Sequence, residues 1–448
     1  MKMNLDPASS ILSSRSRGPW RKWRLCAGIA LMALPAWGGL DLRSTLLPGA
    51  VNIRLLNIAR NGSDIAVTFE ATQGTTYRLE RKISLTGAAW QSIPGVNDLT
   101  ATNNGPAQII DPGAVPLGKA FYRVRDTICD GGLPSNSSDP LQYAAALDLC
   151  QTTTESGLDP GVISATFTLP SGTGLPDARS RAIRPAFGTN NVPRAGNAMV
   201  VFSTGAAAAT GQVNPSFVAF QPGLNTGTSS AAPADWLAAN GGTFPVAPDC
   251  PPASSTTANN PVMLKLRIRV PGDAHSFKVS AKFFTAEYAE YVCSPFNDFF
   301  VVLLDSAYAG TPANPADKNL ATYTAPGGGR YPLGVNLARD NTGLFKQCIN
   351  GTTGCAPGAT AGTTSSCVST SGLTGTGMDT ADPGNCNSNS RFGGGTDWLA
   401  IRGNVLPGEI IELRFALWDT SDGFYDSVVL LDNFAWSPNT VTPGTSLE

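Results

Sequence analysis

One histidine, His275, stands among 448 residues, and charged side chains make up only 14% of the chain, well below the roughly 25% of an average soluble protein. No Cys-x2-Cys pair accompanies that histidine, so a zinc site lacks its ordinary ligands. No G-x-S-x-G elbow is present. Ser203 in "FSTGAA" has no partner set, and a Ser-His-Asp triad would have to use His275, in a turn between two basic strand faces. Neither a P-loop nor a dinucleotide fingerprint opens a helix. Long amphipathic repeats are missing too. Glycine (48) and proline (34) are frequent instead, and 42% of residues are hydrophobic. Such a chain can bury a sizeable core, and it reads as all-β with long loops.

The N-terminus carries an address. Residues 17–24, "RGPWRKWR", are basic, and residues 25–37, "LCAGIALMALPAW", are apolar, with small residues around Gly38. That is the order of a secretory signal over residues 1–38. The apolar run falls short of the about 20 residues of a membrane span, so no transmembrane helix is expected after cleavage. Export to the extracellular space or outer cell surface follows. Cleavage would remove six basic residues and one acidic one from totals of 31 and 33. The mature surface is then mildly acidic and does not attract phosphate backbones, which excludes nucleic acid as a partner.

Cys26 leaves with the signal. Eight cysteines remain: Cys129, Cys150, Cys250, Cys293, Cys348, Cys355, Cys367 and Cys386. An even number in an exported chain implies disulfides. Local pairing predicts Cys129–Cys150, Cys348–Cys355 and Cys367–Cys386, which leaves Cys250–Cys293.

Short alternating strands at regular spacing fill residues 39–126, beginning with "DIAVTFEA", and suggest a small sandwich with Tyr77, Trp90 and Tyr122 in its core. The pattern "TYRLERKISLTGAAWQSI…AFYRVR" resembles fibronectin-like modules. A turn-rich boundary follows at residues 126–140, then a helical segment, "LQYAAALDLCQ". Residues 127–438 read as a larger β domain, a sandwich of jelly-roll-like character with long disulfide-held loops. "MLKLRIRV" and "FKVSAKFF" alternate on either side of a turn and predict a hairpin with one wet face. "NDFFVVLLD" and "DSVVLLDNFAW" predict buried strands. Residues 350–395 form a Gly/Ser/Thr-rich loop too poor in apolar residues to build a core. Residues 439–448 read as a polar tail with no apolar segment.

Several motifs together, among them "FGTNNVPRAGNAMVVFSTGAA", "FTAEYAEYVCSPFNDFFVVLL" and "GGGTDWLAIRGNVLPGEIIELRFALWDTSDGFYDSVVLLDNFAW", resemble the choice-of-anchor L domain proteins over residues 126–436. The resemblance implies an exported, surface-associated β-rich protein. Members carry varied C-terminal anchors, and none is visible here, which favours release or non-covalent attachment.

The motifs "EYAEYVCSPFND" and "WDTSDGFYDS" concentrate the candidate chemistry. Glu287, Glu290, Asn297, Asp298, Asp419, Asp422 and Asp426 are oxygen ligands of the kind that calcium takes, with Gly423 permitting a tight turn. The loop is not an EF-hand, since that pattern fails at Ser421. The alternative is that these residues cap turns. The expected function is a non-catalytic adhesion, ligand-binding or structural protein stabilised by calcium. A carbohydrate-binding module is the alternative, with Tyr288, Tyr291, Phe424 and Tyr425 facing a cell-surface or extracellular glycan or protein. A second alternative is a glycoside hydrolase using Glu287 or Glu290 with Asp426.

Overall fold

The computed structural model describes residues 53–448 apart from 72, 74–75, 84–90, 118–119, 127–128, 213–216, 218, 326–327, 340–341, 361–365, 380–385 and 387–392. The expected signal and Trp90 lie outside the described residues.

Seven strands occupy the first part: β1 (Leu55–Asn61), β2 (Asp64–Ala71), β3 (Thr76–Lys82), β4 (Gln91–Ser92), β5 (Leu99–Thr100), β6 (Gly105–Asp111) and β7 (Phe121–Asp126). One sheet joins β1, β2 and β6, and a second joins β3 with β4, β5 and β7. The alternation of β2 turns Ile65, Val67 and Phe69 inward, where they meet Tyr77, Leu79, Tyr122 and Val124 in a core separate from that of the rest of the chain.

Two larger sheets follow. The first contains β9 (Arg181–Arg184), β10 (Met199–Ser203), β13 (Ser276–Thr285), β17 (Phe345–Gln347), β18 (Gly394–Thr396), β19 (Leu399–Asn404), β21 (Ser427–Ser437) and β22 (Gly444–Leu447). Its order is β17-β18-β13-β21-β10-β9, with β19 beside β13 and β22 beside β19. The second contains β8 (Gly161–Thr168), β11 (Ser229–Ala231), β12 (Thr257–Arg269), β14 (Phe299–Asp305) and β20 (Ile410–Asp419), in the order β11-β12-β20-β14 with β8 beside β12. A two-stranded ribbon, β15 (Thr322–Thr324) and β16 (Arg330–Pro332), completes the set. Leu264, Leu266 and Ile268 of β12 and Leu413, Phe415 and Leu417 of β20 face Phe277, Val279 and Phe283 of β13 and Val429 and Leu431 of β21 across one core. The architecture is a β-sandwich.

The alternation of β12 works as expected. Lys265, Arg267 and Arg269 point outward, with Lys265 near Glu412 at 3.5 Å. The expected hairpin does not form. β12 pairs with β20 and β8, whereas β13 pairs with β21, β19 and β18, so residues 271–275 carry the chain from one sheet to the other. The reason is the burial of β13, where every residue except Lys278 is buried. A strand covered on both faces belongs in the interior of a sheet and cannot keep one side wet.

The helical segment forms α1 (Pro140–Ala146), with proline at its first position and the Asp139 carboxylate accepting from Leu141 N at 2.9 Å. A second short helix, α2 (Ala234–Ala239), seats Trp236 beside Phe244, Phe299 and Trp418 on the outer face of the five-stranded sheet. Two further expectations fail. Residues 350–395 do contribute to a core, since Leu373 and Met378 are buried beside Phe187 and Phe284. The expected tail supplies β22, and the Glu448 side chain accepts from Lys278 Nζ at 2.6 Å and Ser280 Oγ at 2.7 Å.

Cys129–Cys150 and Cys250–Cys293 are bonded as expected, but the other bridges are Cys348–Cys367 and Cys355–Cys386. Main-chain pairing explains the exchange. Cys348 N donates to Ser369 O at 2.9 Å and Val368 N to Lys346 O at 2.8 Å, which sets Cys367 alongside Cys348. Non-reducing peptide mapping is expected to recover these four bridges and no free thiol. A Cys348–Cys355 peptide would overturn the assignment.

Candidate functional site

Two of the chain's crossings between sheets lie at the same end of the sandwich. Thr285, the last residue of β13, pairs with Ser427, the first of β21. Phe299, the first of β14, pairs with Trp418 near the end of β20. Residues 286–298 and 420–426 therefore pass between the sheets side by side, and they carry the two acidic motifs. Their carboxylates meet inside the fold: Glu287 is 2% exposed, and Asp298, Asp419 and Asp426 are fully buried.

The donors around them are few. Asp298 accepts from Ser427 Oγ at 2.7 Å and Thr420 N at 3.3 Å, and its own N–H donates to Glu287 Oε2 at 3.4 Å. Asp419 Oδ2 accepts from Asn260 Nδ2 at 2.9 Å, and Asp426 Oδ2 from Leu224 N at 3.3 Å. The Oδ1 atoms of Asp419 and Asp426 are buried without a hydrogen-bond partner. None of the four carboxylates has an ion-pair partner among the described residues. Burial, reinforced by neighbouring carboxylates, pushes the pKa values of Glu287, Asp298 and Asp426 well up. Burial also pushes Asp419 to about 7, while Thr204, Asn260 and Asp298 oppose it. The Asp419 carboxylate adds to the rise at Asp298, because like charges this close disfavour ionising both. Bare, the cluster cannot ionise fully. It must hold protons or a cation.

Not every candidate joins this cluster. Asn297 Oδ1 accepts from Asn336 N at 3.1 Å and so braces the neighbouring loop. Asp422 is half-buried and accepts from Phe424 N at 3.2 Å, a turn-capping role. Glu290 is buried, with its main-chain oxygen accepting from Ala356 N. Gly423 does not supply a left-handed turn, which falls instead to Ser421 and Tyr425. It is required because a Cβ there would lie 2.7 Å from Asn260 Nδ2. Tyr288 is no surface aromatic. It is buried against Phe345 and donates to Ile349 O at 2.5 Å. Tyr291 does reach the rim, with ring centroids 5.0 Å from Tyr425 and 5.7 Å from Phe296, and Phe424 is 54% exposed.

Asn260, Thr204 and Gly205 complete the surroundings and carried no signal of their own. Within "FSTGAA" the Ser203 hydroxyl merely accepts from Gly205 N at 3.0 Å. Gly205 matters through its missing side chain, since a Cβ there would lie 1.9 Å from Asp426 Oδ2. His275 sits just before β13, the end opposite these loops. A glycosidase needs its carboxyls on either side of a bound sugar. Glu287, Glu290 and Asp426 are all enclosed, so that reading fails on access.

A second acidic group lies elsewhere. Asp130 and Asp432 accept main-chain donors, from Asn197 at 2.6 Å and Ala195 at 3.1 Å respectively. Both carboxylate oxygens of Asp148 are buried without a partner, and the nearby Asn433 N–H is bonded to Asp432 instead. Burial, with Asp432 and Asp130 adding to it, pushes Asp148 to about 8. The stability that this group contributes is complete below its unfolded value near 3.8 and is lost as pH rises to about 8. Asp148→Asn is therefore expected to melt several degrees higher than the wild type at pH 9, with the advantage shrinking toward pH 4. A constant difference across that range in thermal melts would contradict the assignment. Asparagine also tolerates the left-handed backbone, φ 66°, at this position.

The family model for the Choice-of-anchor L domain matches residues 193–436, a span that contains both acidic loops. Residues 126–192, which the sequence motifs grouped with it, lie outside that match. No curated protein matches the chain. One solved structure, titled "Structural basis for the promiscuous specificity of the carbohydrate-binding modules from the beta-sandwich super family", shares 9% identity, with 93% of this chain and 100% of that one covered. Its TM-score is 0.17, too low to support an argument about fold or ligand. Among the described residues no helix is long and apolar enough to cross a membrane.

Proposed function

The chain belongs to the Choice-of-anchor L domain family, a non-catalytic structural and anchoring family, and from that premise we propose an exported, calcium-stabilised binding domain. The observation that carries this reading is the pair of orphaned oxygens, Asp419 Oδ1 and Asp426 Oδ1, buried in a group of four carboxylates with no basic partner among the described residues. As they stand, no three acidic, histidine or cysteine side chains among the described residues are disposed to hold one metal ion. Calcium tolerates irregular shells of six to eight oxygens, including main-chain and amide carbonyls. Asp419, Asp426, Asp298 and Glu287 are the residues that would hold it. Magnesium, which demands a near-ideal octahedron, fits less well.

The ligand reading rests on the rim of the same loops. Phe424 is exposed, and Tyr291, Tyr425 and Phe296 are in ring contact beside it. Flat aromatic faces, with the hydroxyls of Tyr291 and Tyr425 among them, suit packing on a sugar ring, so an extracellular glycan is the favoured partner. Residues 39–126 then serve as a fibronectin-like spacer, and residues 127–438 as the binding domain, of jelly-roll-like character. Equilibrium dialysis of the full chain is expected to find one calcium ion per chain, and no uptake would overturn the cation site. A glycan array in calcium is expected to show binding that Phe424→Ala weakens about tenfold, roughly 1.4 kcal/mol. A blank array with calcium bound would remove the glycan and leave the ion.

A further inference from the structure

Two polar side chains that the carboxylate site does not use are enclosed together where β17, β18 and β13 lie side by side, with the half-buried Asp397 next to them. Lys282, on β13, is 5% exposed. Its Nζ lies 5.4 Å from the centroid of the Phe284 ring, and it has neither a hydrogen bond nor an ion pair among the described residues. Gln347, on β17, is 6% exposed. Between them, β18 presents Gly395, which pairs with Phe284 on one side and Gln347 on the other. Adjacent strands lie about 4.8 Å apart, so β17 and β13 are two spacings apart across a strand that presents no side chain there. A long side chain from each can close that gap.

Gly372 marks where they meet. A Cβ built on it would lie 2.9 Å from Lys282 Nζ and 3.0 Å from Gln347 Cδ, so the amine nitrogen and the amide carbon are separated by no more than the sum of those two distances. The amide is already held at both ends. Its Oε1 accepts from Gly372 N at 2.8 Å, and its Nε2 donates to Asp397 Oδ1 at 2.6 Å. Burial favours the neutral amine of Lys282, with Asp397 opposing the effect.

We propose that Lys282 and Gln347 join in an intramolecular amide bond from Nζ to Cδ, with loss of ammonia. The neutral amine attacks Cδ, and negative charge develops on Oε1, where the Gly372 N–H already points. The Asp397 carboxylate takes a proton from the attacking nitrogen and returns it to Nε2. The Cδ–Nε2 bond breaks and ammonia leaves. One amine and one primary amide become one secondary amide and ammonia, with no oxidant, reductant or cofactor involved. The product ties the short edge strand β17 to β13 over the glycines of β18.

The test is mass spectrometry of the full chain, purified folded, then reduced and denatured. The expected result is an intact mass one ammonia below that of the linear chain and a branched peptide joining Lys282 to Gln347. Lys282→Arg, which keeps the positive charge but cannot form this bond, should show the full mass and no branch. Asp397→Asn, checked for native near-UV circular dichroism, should lose most of the branched species. An undiminished branch in that folded variant would overturn the proton route through Asp397. Separate, unmodified peptides bearing Lys282 and Gln347 from wild-type protein would overturn the bond itself, however the variants behave.

Discussion

Excess calcium is expected to raise the melting temperature of the full chain above its value in chelator, and Asp426→Asn to remove most of that rise. On the proposal above, calcium would bind the assembled carboxylates and not the scattered ones of the unfolded chain, so mass action would stabilise the fold by roughly 2.7 kcal/mol at a hundred times the dissociation constant. In chelator the variant should melt no lower than the wild type. Asp426 is fully buried with one oxygen unpartnered, and an asparagine there keeps an acceptor for Leu224 N while removing an ionisable group that burial penalises. If the aspartate were a simple turn cap, the substitution would lower stability in both buffers. Asp379→Asn, in the Gly/Ser/Thr-rich loop, should leave the calcium response intact, and magnesium should reproduce little of it. Identical wild-type melts in chelator and calcium would return the cluster to shared protons alone.

Gly205→Ala should cost about 1–3 kcal/mol, as overpacking of a close-packed interior does, and should also abolish the calcium response. The added methyl would lie 1.9 Å from Asp426 Oδ2 and 2.3 Å from Asp426 Cγ, so the carboxylate has to turn away from the cluster. Gly223→Ala is the neighbouring control. Its Cβ would meet only Tyr425 N, at an ordinary 3.7 Å, and both stability and calcium response should hold. A Gly205→Ala protein that melts like the wild type and still responds to calcium would show that the Asp426 carboxylate is not confined as described.

Much of this molecule is legible in the residue order, and the rest is withheld for identifiable reasons. Alternation in "MLKLRIRV" correctly gives which side of β12 is wet, because period two follows from strand geometry. It says nothing about which strand lies alongside, and the expected hairpin fails on that point. The acidic motifs draw attention through residue type, and the fold brings Glu287, Asp298, Asp419 and Asp426 together. Gly205, Thr204 and Asn260 stay invisible, since a chain with 48 glycines gives no reason to single out the one that faces a carboxylate. Cysteine pairing depends on the path of a loop with little periodicity, so nearest neighbours are a poor guide. The strand β22 is polar because it pairs at an edge, and polarity there looks like a tail.

The passage of the chain between the sheets at residues 271–275, 286–298 and 420–426 bears on how the molecule is assembled. Each sheet draws its central strands from stretches that the other sheet interrupts: Val200 lies beside Leu431, and Leu264 beside Phe415. Neither layer can be finished while the other is absent, and almost no stable half is available on the way. Chains whose neighbours in space are this remote in sequence close long loops before they gain contacts, and they fold slowly, in milliseconds to seconds or beyond. Under the export proposed above, that slowness would be compatible with passage through a translocation channel as an extended thread. The interleaving that delays folding then makes the finished sandwich hard to peel apart, because no layer can leave without dragging the other with it.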